Sequence, residues 1–274
     1  MISFESDSNS IDHIRSKLSL PLTTVDKGTE LISCKIAWGE TNFSIIQAAI
    51  NSYIGYTPAK TVHIFLITDT CDVFLIPPNV KVYRTSLLKS RMVRNEYVLP
   101  YVWEGLSVPF EPLPRIEKPI IGFCGQLNNS ERSITVKKLM EDTRFTTNFV
   151  IRAQFWAGKP HDPVVVKEFE ENILSSHFTI CHRGSGNFSM RFYQTLSAGR
   201  IPILLNTDMT LPFEDEIPWN DIIVMETTQE ALIERIMYVW NNKNILELQT
   251  RCRDIYEHYF RGTRYFDKIL LSKS

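Results

Sequence analysis

Runs of β-branched and aromatic residues alternate with stretches of helical period twice along this chain, and a proline-dense passage separates the two series. In the first series, residues 31–37 read as a strand and 44–53 as a helix with Ile45, Ile46, Ala49 and Ile50 on one face. Residues 61–68 (TVHIFLIT) read as a buried strand, and 80–83 as a shorter one. The passage 98–119 then carries Pro100, Pro109, Pro112, Pro114 and Pro119. Proline neither continues a helix nor donates in a sheet ladder, so this density suits a connector between domains. The second series reads as strands over 120–124, 149–153, 178–181, 201–205 and 222–225. Helices are expected over 130–141, 164–175, 190–198, 228–240 and 245–259, with Gly199 a stop and Thr228 a cap. Strand–helix alternation in both halves predicts parallel sheets covered by helices, an α/β class fold.

Charge narrows the partners. Thirty Lys and Arg residues face 31 Asp and Glu, giving a formal net charge of −1. A nucleic-acid binder usually carries a basic excess, so nucleic acid is not the expected partner. Five scattered cysteines (Cys34, Cys71, Cys124, Cys181 and Cys252) are odd in number and form no C-x-x-C, unlike a disulfide framework. The first ten residues are polar and acidic, without the features of a signal peptide. No apolar run reaches the ~18 residues of a transmembrane helix. A soluble, cytoplasmic protein of a reducing compartment is the expectation.

In open α/β sheets ligands bind beyond the carboxyl ends of the strands. Three strand-end loops of the second half have unusual composition. Gly122-Phe123-Cys124-Gly125-Gln126 leads to Asn128, Asn129 and Arg132, with Arg132 in the first turn of the next helix. Cys181-His182-Arg183-Gly184-Ser185-Gly186-Asn187-Phe188-Ser189-Met190-Arg191 joins a strand to a helix through glycines. Backbone N–H groups and a helix N-terminus there would suit a diphosphate, and Arg183 and Arg191 supply fork-shaped donors. The glycines match neither G-x-G-x-x-G nor the P-loop. The third loop carries Asp208 just past the strand 201–205, where a carboxylate can accept from sugar hydroxyls or form an Asx-turn.

Together these residues resemble the core of exostosin-like glycosyltransferases. That family's pattern is a strand ending in R-G-x-G, then S-x-R-x-Y-E-A-L-x-x-G-x-I-P-V, an aspartate, L-P-F and a tryptophan. Here the corresponding residues are Arg183-Gly184-Ser185-Gly186, Ser189-Met190-Arg191-Phe192-Tyr193-Gln194-Thr195-Leu196, Gly199-Arg200-Ile201-Pro202-Ile203, Asp208, Leu211-Pro212-Phe213 and Trp219. The resemblance runs over roughly residues 120–260 and is weak in the N-terminal third. It implies a GT-B fold of two Rossmann-like domains facing across a cleft. The expected units are an acceptor domain over 1–114, a nucleotide-sugar domain over 115–250, and a C-terminal helix over 251–274 packing back across the junction. It also implies a UDP-sugar donor, an oligosaccharide or glycan acceptor, and transfer with inversion. The donor would meet Gly125, Arg132, Arg183, Gly184, Ser185, Gly186, Ser189, Arg191, Gln194 and Asp208. One position departs from the pattern: Gln194 stands where the family has glutamate. That departure keeps a non-catalytic partner protein, binding UDP or glycan beside an active homologue, as the alternative. A compact chain of this kind suggests a microbial or large-DNA-virus enzyme, with xylosyl transfer among the expected activities.

Inverting transfer needs a base for the acceptor hydroxyl and positive charge for the departing UDP. No D-x-D pair stands at a strand end, so no metal is expected and the arginines would take its place. The base is expected from the first half, with Asp72, Asp69 and Glu40 as candidates. Trp38, Arg91 and Arg94 are the expected acceptor contacts. His177, Cys181 and His182 lack ligand spacing and read as core or loop residues. Phe155 and Trp156 read as stacking partners for uracil or as core.

Overall fold

The computed structural model describes residues 2–6, 29–34, 39–57, 59–102, 105–159 and 162–270. Two five-stranded, wholly parallel sheets form its frame. The first contains β1 (Ile2–Ser6), β2 (Thr29–Cys34), β3 (Ala59–Leu66), β4 (Val80–Arg84) and β5 (Glu96–Val98), side by side in chain order. The second contains β6 (Ile120–Gln126), β7 (Thr146–Arg152), β8 (Phe178–Ile180), β9 (Ile201–Leu205) and β10 (Val224–Glu226). Its spatial order is β10-β9-β8-β6-β7, so the chain reverses direction across the sheet between β6 and β8. This is an α/β fold built on two parallel sheets, as the strand–helix alternation predicts.

β3 shows why the first sheet is buried on both faces. Side chains alternate along a strand. Val62, Ile64 and Leu66 therefore join Ile46 and Ile50 of α1 (Phe43–Asn51), while Phe65 and Ile67 enter the larger core shared with the second sheet. α2 (Ser130–Glu141), α3 (Pro163–Leu174), α4 (Arg191–Ser197), α5 (Gln229–Asn242) and α6 (Ile245–Ile255) accompany the second sheet. Four of them start on an Asn, Asp or Thr whose side chain accepts from a first-turn N–H: Asn129, Asp162, Thr228 and Asn244.

Three elements differ from the sequence expectation. β1 and β5 were not expected, because ISFES and EYV are short and carry too few apolar residues to stand out. The single helix expected over 245–259 ends at Ile255, passes through a π-turn (Tyr256–Phe260) and stops at Gly262, whose φ of +61° suits glycine. A separate α7 (Arg264–Leu270) follows.

The proline-rich connector is docked rather than free. Arg200 Nη2 donates to the Glu111 carbonyl at 2.9 Å, Gln249 exchanges two hydrogen bonds with Leu113, and His177 Nε2 donates to the Pro114 carbonyl. α7 returns to the first sheet, where Phe266 meets Phe65 edge-on at 5.6 Å and the Tyr265 hydroxyl donates to the Val98 carbonyl. A continuous apolar core therefore runs through the junction.

Candidate functional site

The reversal between β6 and β8 opens a crevice at their carboxyl ends, the place where doubly wound sheets bind ligands. A cavity of about 360 Å³ lies there, within the usual range for small-molecule sites. The loop after β6 contributes Gly125, Gln126 and Asn128, and the loop after β8 contributes Gly184, Ser185, Gly186, Ser189 and Met190. Asp69 and Tyr101 reach it from the first half.

Three arginines line it. Arg132 is buried and staples the two loops together. Its Nη1 donates to the Gln126 carbonyl and Asn128 Oδ1 at 2.8 and 3.0 Å, and its Nη2 to the His182 and Arg183 carbonyls at 3.0 and 2.6 Å. Arg191 donates to the Ile180 and Cys124 carbonyls and lies over the rings of Phe123 and Phe169, at 5.0 and 5.4 Å. Arg152, at the end of β7, pairs with Glu168 at 2.5 Å. Arg132 and Arg191 have no ion pair among the described residues and hold only carbonyls, amides and rings. Burial pushes the Arg132 guanidinium down to about 10, with Arg191 repulsion adding to it, and burial lowers Arg191 as well. Taking a guanidinium from water costs several kcal/mol when no anion accompanies it. Two such groups beside a cavity whose only lining carboxylate among the described residues is Asp69 are organised for an anionic occupant. The Nε atoms of Arg132, Arg183 and Arg191 are shielded and unpartnered, as is the Gln194 Oε1.

Close approach explains the glycines. A Cβ at Gly125 would sit 2.9 Å from Arg191 Nη2, and one at Gly186 would sit 2.7 Å from Asp69 Oδ1. α4 is only seven residues long, so the arginine charges, rather than its dipole, dominate the field there.

The structure brings together Gly125, Arg132, Gly184, Ser185, Gly186, Ser189, Arg191, Gln194 and Asp69 in one cavity. Arg183 lies beside it, donating to the Ser185 carbonyl. Asp208, expected at the donor, is elsewhere. It adopts φ +63° and accepts from the Ser90 N–H and hydroxyl across the domain junction, while its carbonyl accepts from Lys89 N–H at 2.7 Å. Asp72 accepts from the Thr70 hydroxyl, and Glu40 from the Asn42 N–H, both outside the cavity lining. Arg91 and Arg94 are exposed and do not line it; Trp38 lies outside the described residues.

Arg152, Tyr101 and Phe169 were missed, because each arrives from an element whose sequence gives no site signal. Phe155 and Trp156 do line the cavity, on a turn where Trp156, Ala157 and Gly158 all have positive φ. The histidines are structural: His182 Nδ1 accepts from Leu205 N–H while Nε2 donates to Thr135, and burial holds it neutral to about 3. No metal-binding cluster occurs among the described residues. Leu211-Pro212-Phe213 and Trp219 form a brace, with Trp219 Nε1 donating to the Pro212 carbonyl and its ring 5.3 Å from Phe192. No helix among the described residues is long and apolar enough to cross a membrane.

Comparison with known proteins finds likenesses for this loop architecture. Residues 123–239 match the model of the Exostosin GT47 domain. The Exostosin-1 homolog of Caenorhabditis elegans is 30% identical over 105 residues, which are 38% of this chain and 28% of that protein. "Probable glucuronosyltransferase 47 A" of Physcomitrium patens is 28% identical over 105 residues, 36% of this chain and 23% of its own length. The chain thus spans about a quarter of the length of these relatives. The crystal structure of TarM superposes with a TM-score of 0.48 at 10% identity, over 92% of this chain and 56% of TarM. The crevice loops, with the strands and helices that carry them, thus lie within the stretch that is similar to the Exostosin GT47 domain.

Proposed function

We propose that the chain transfers a sugar from a UDP-sugar to a hydroxyl of a glycan acceptor, with inversion and without a metal. The observation that carries this reading is the division of charge in the cavity. Among the described residues, Arg132 and Arg191, without counter-ions, come from the second half, and a single carboxylate, Asp69, comes from the first. The diphosphate sits between the loops after β6 and β8, against Arg132 and Arg191. Trp156 and Phe155 offer aromatic faces to the base, and Gln194 a buried amide to the ribose. Asp69 makes no hydrogen bond or ion pair through its carboxylate among the described residues, which leaves it available as a base. It takes the proton of the acceptor hydroxyl as the oxygen attacks the anomeric carbon from the face opposite the phosphate. The anomeric C–O bond breaks, and UDP leaves with its charge held by the arginines. Xylose is among the sugars proposed.

Gln194 in place of the family's glutamate favours one second reading, a UDP-binding partner protein without turnover. Product analysis with a panel of UDP-sugars and glycan acceptors separates the two. The transferase reading expects transfer that is unchanged by a chelator and reduced roughly 10²–10⁴-fold in Asp69→Asn, with UDP still raising the melting temperature of that variant. UDP stabilisation with neither transfer nor donor hydrolysis would leave the partner reading standing.

A further inference from the structure

The two halves of the site share one hydroxyl that bonds to both of them without lining the cavity. Ser86, 1% exposed, follows β4 and is not part of the cavity lining. Its Oγ accepts the Asn187 backbone N–H at 2.7 Å and donates to the Asp69 carbonyl at 3.3 Å, with Cys71 Sγ 3.2 Å away. Asn187, also 1% exposed, ends the glycine loop that begins at Gly184. Its side chain donates to the Leu87 carbonyl at 2.9 Å and accepts from the Thr207 hydroxyl at 2.7 Å. Behind the Asp69 loop, Arg84 donates to the Thr70 and Asp72 carbonyls at 2.6 and 2.7 Å and to Glu96 at 2.7 Å. The Asp69 loop is therefore held on its far side by a buried cation and on its near side by Ser86.

We infer that Ser86 and Asn187 are positioning residues that set the separation between Asp69 and the glycine–arginine cradle through the shared Ser86 hydroxyl. This rests on the reading of Asp69 as the base. The packing leaves little slack: a Cβ at Gly186 would lie 2.7 Å from Asp69 Oδ1 and 3.2 Å from Ser86 Oγ. Chemistry of this kind needs reacting atoms about 3–3.5 Å apart, and an error of ~1 Å costs on the order of 10²-fold in rate. A hydroxyl that accepts from one loop and donates to the other transmits any movement of either. An ordinary buried hydroxyl would instead contribute only to stability.

Ser86→Ala tests this, beside Ser86→Cys and the control Ser176→Ala. Ser176 is a buried hydroxyl that donates to the Asn172 carbonyl at 2.7 Å, away from the cavity. The expected result for Ser86→Ala is a fall in kcat of about tenfold or more, with donor KM and the UDP-induced rise in melting temperature unchanged. Ser86→Cys falls between it and the wild type, and Ser176→Ala keeps its kcat. Amide exchange, which needs no turnover, is expected to accelerate in Ser86→Ala over residues 68–72 and 184–188 together. Unchanged kcat, an equal loss in Ser176→Ala, or faster exchange in one loop alone would overturn the inference. Full activity in Asp69→Asn would overturn the base assignment instead, while the exchange result would still judge the bridge.

Discussion

The two sheets have five parallel strands each, yet only the second has a switch point in its strand order. The first sheet adds its strands in chain order, so every step between neighbouring strands proceeds in one direction and no switch point arises. The second starts in its interior at β6, adds β7 on one side, and returns to add β8 on the other. The loops after β6 and β8 then diverge to opposite faces, and the gap between them becomes the cavity. Three buried arginines show the same contrast. Arg84 in the first sheet is paired with Glu96 and braces a loop, whereas Arg132 and Arg191 in the second half face the cavity without a carboxylate. Burial of the same residue type thus serves structure at Arg84 and, on the proposed reading, anion binding at Arg132 and Arg191.

The largest effects should come from exchanging these roles. Arg191→Ala is expected to abolish stabilisation by UDP and cut transfer by more than about 100-fold, with a folded protein shown by circular dichroism. Arg84→Ala should do the reverse. It strands Glu96 as a buried unpaired charge, costing roughly 3–5 kcal/mol in denaturant unfolding, while UDP binding per folded molecule persists. Loss of UDP binding in both variants would break the comparison.

A moderate effect concerns acid. His182 is held neutral by burial to about 3 in the folded chain, while an unfolded histidine takes its proton near 6.5. Its contribution is therefore complete above about pH 6.5 and is lost as pH falls from there toward 3. Burial lowers His177 in the same direction. The melting temperature should fall over that window, and His182→Gln should flatten the slope, by at most about 1.4 kcal/mol per pH unit. An unchanged slope would mean that His182 opens to water before the domain unfolds. The smallest effect is expected at the domain boundary. Asp208→Asn keeps a residue tolerant of positive φ but weakens the bond to Ser90. It should cost under about 1 kcal/mol and leave UDP affinity intact; a large loss of UDP affinity would return Asp208 to the donor site.

Much of the second half was legible because its signals are local. Helix 130–141 and strand 201–205 match the observed Ser130–Glu141 and Ile201–Leu205, since a capping Asn and a β-branched run each act within a few residues. The glycine–arginine loops could be read because glycine at a strand end and arginine at a helix start are unusual neighbours. Asp208 misled because an aspartate after a strand reads the same whether it faces a sugar or caps a turn of another domain. Arg152 carried no local mark of function at all.

The sequence by itself determined the class of fold, the break between two strand–helix series, and the residues that gather at the crevice loops. Periodicity, turn chemistry and charge are properties of short segments, and short segments are what a sequence displays. Only the tertiary structure decided where the chain reverses in the second sheet and which of three carboxylates faces the glycines. It also decided that Ser86 bridges the two loops. Those outcomes depend on contacts between residues about 100 positions apart, such as Ser86 and Asn187, and no local pattern encodes a distance of that kind.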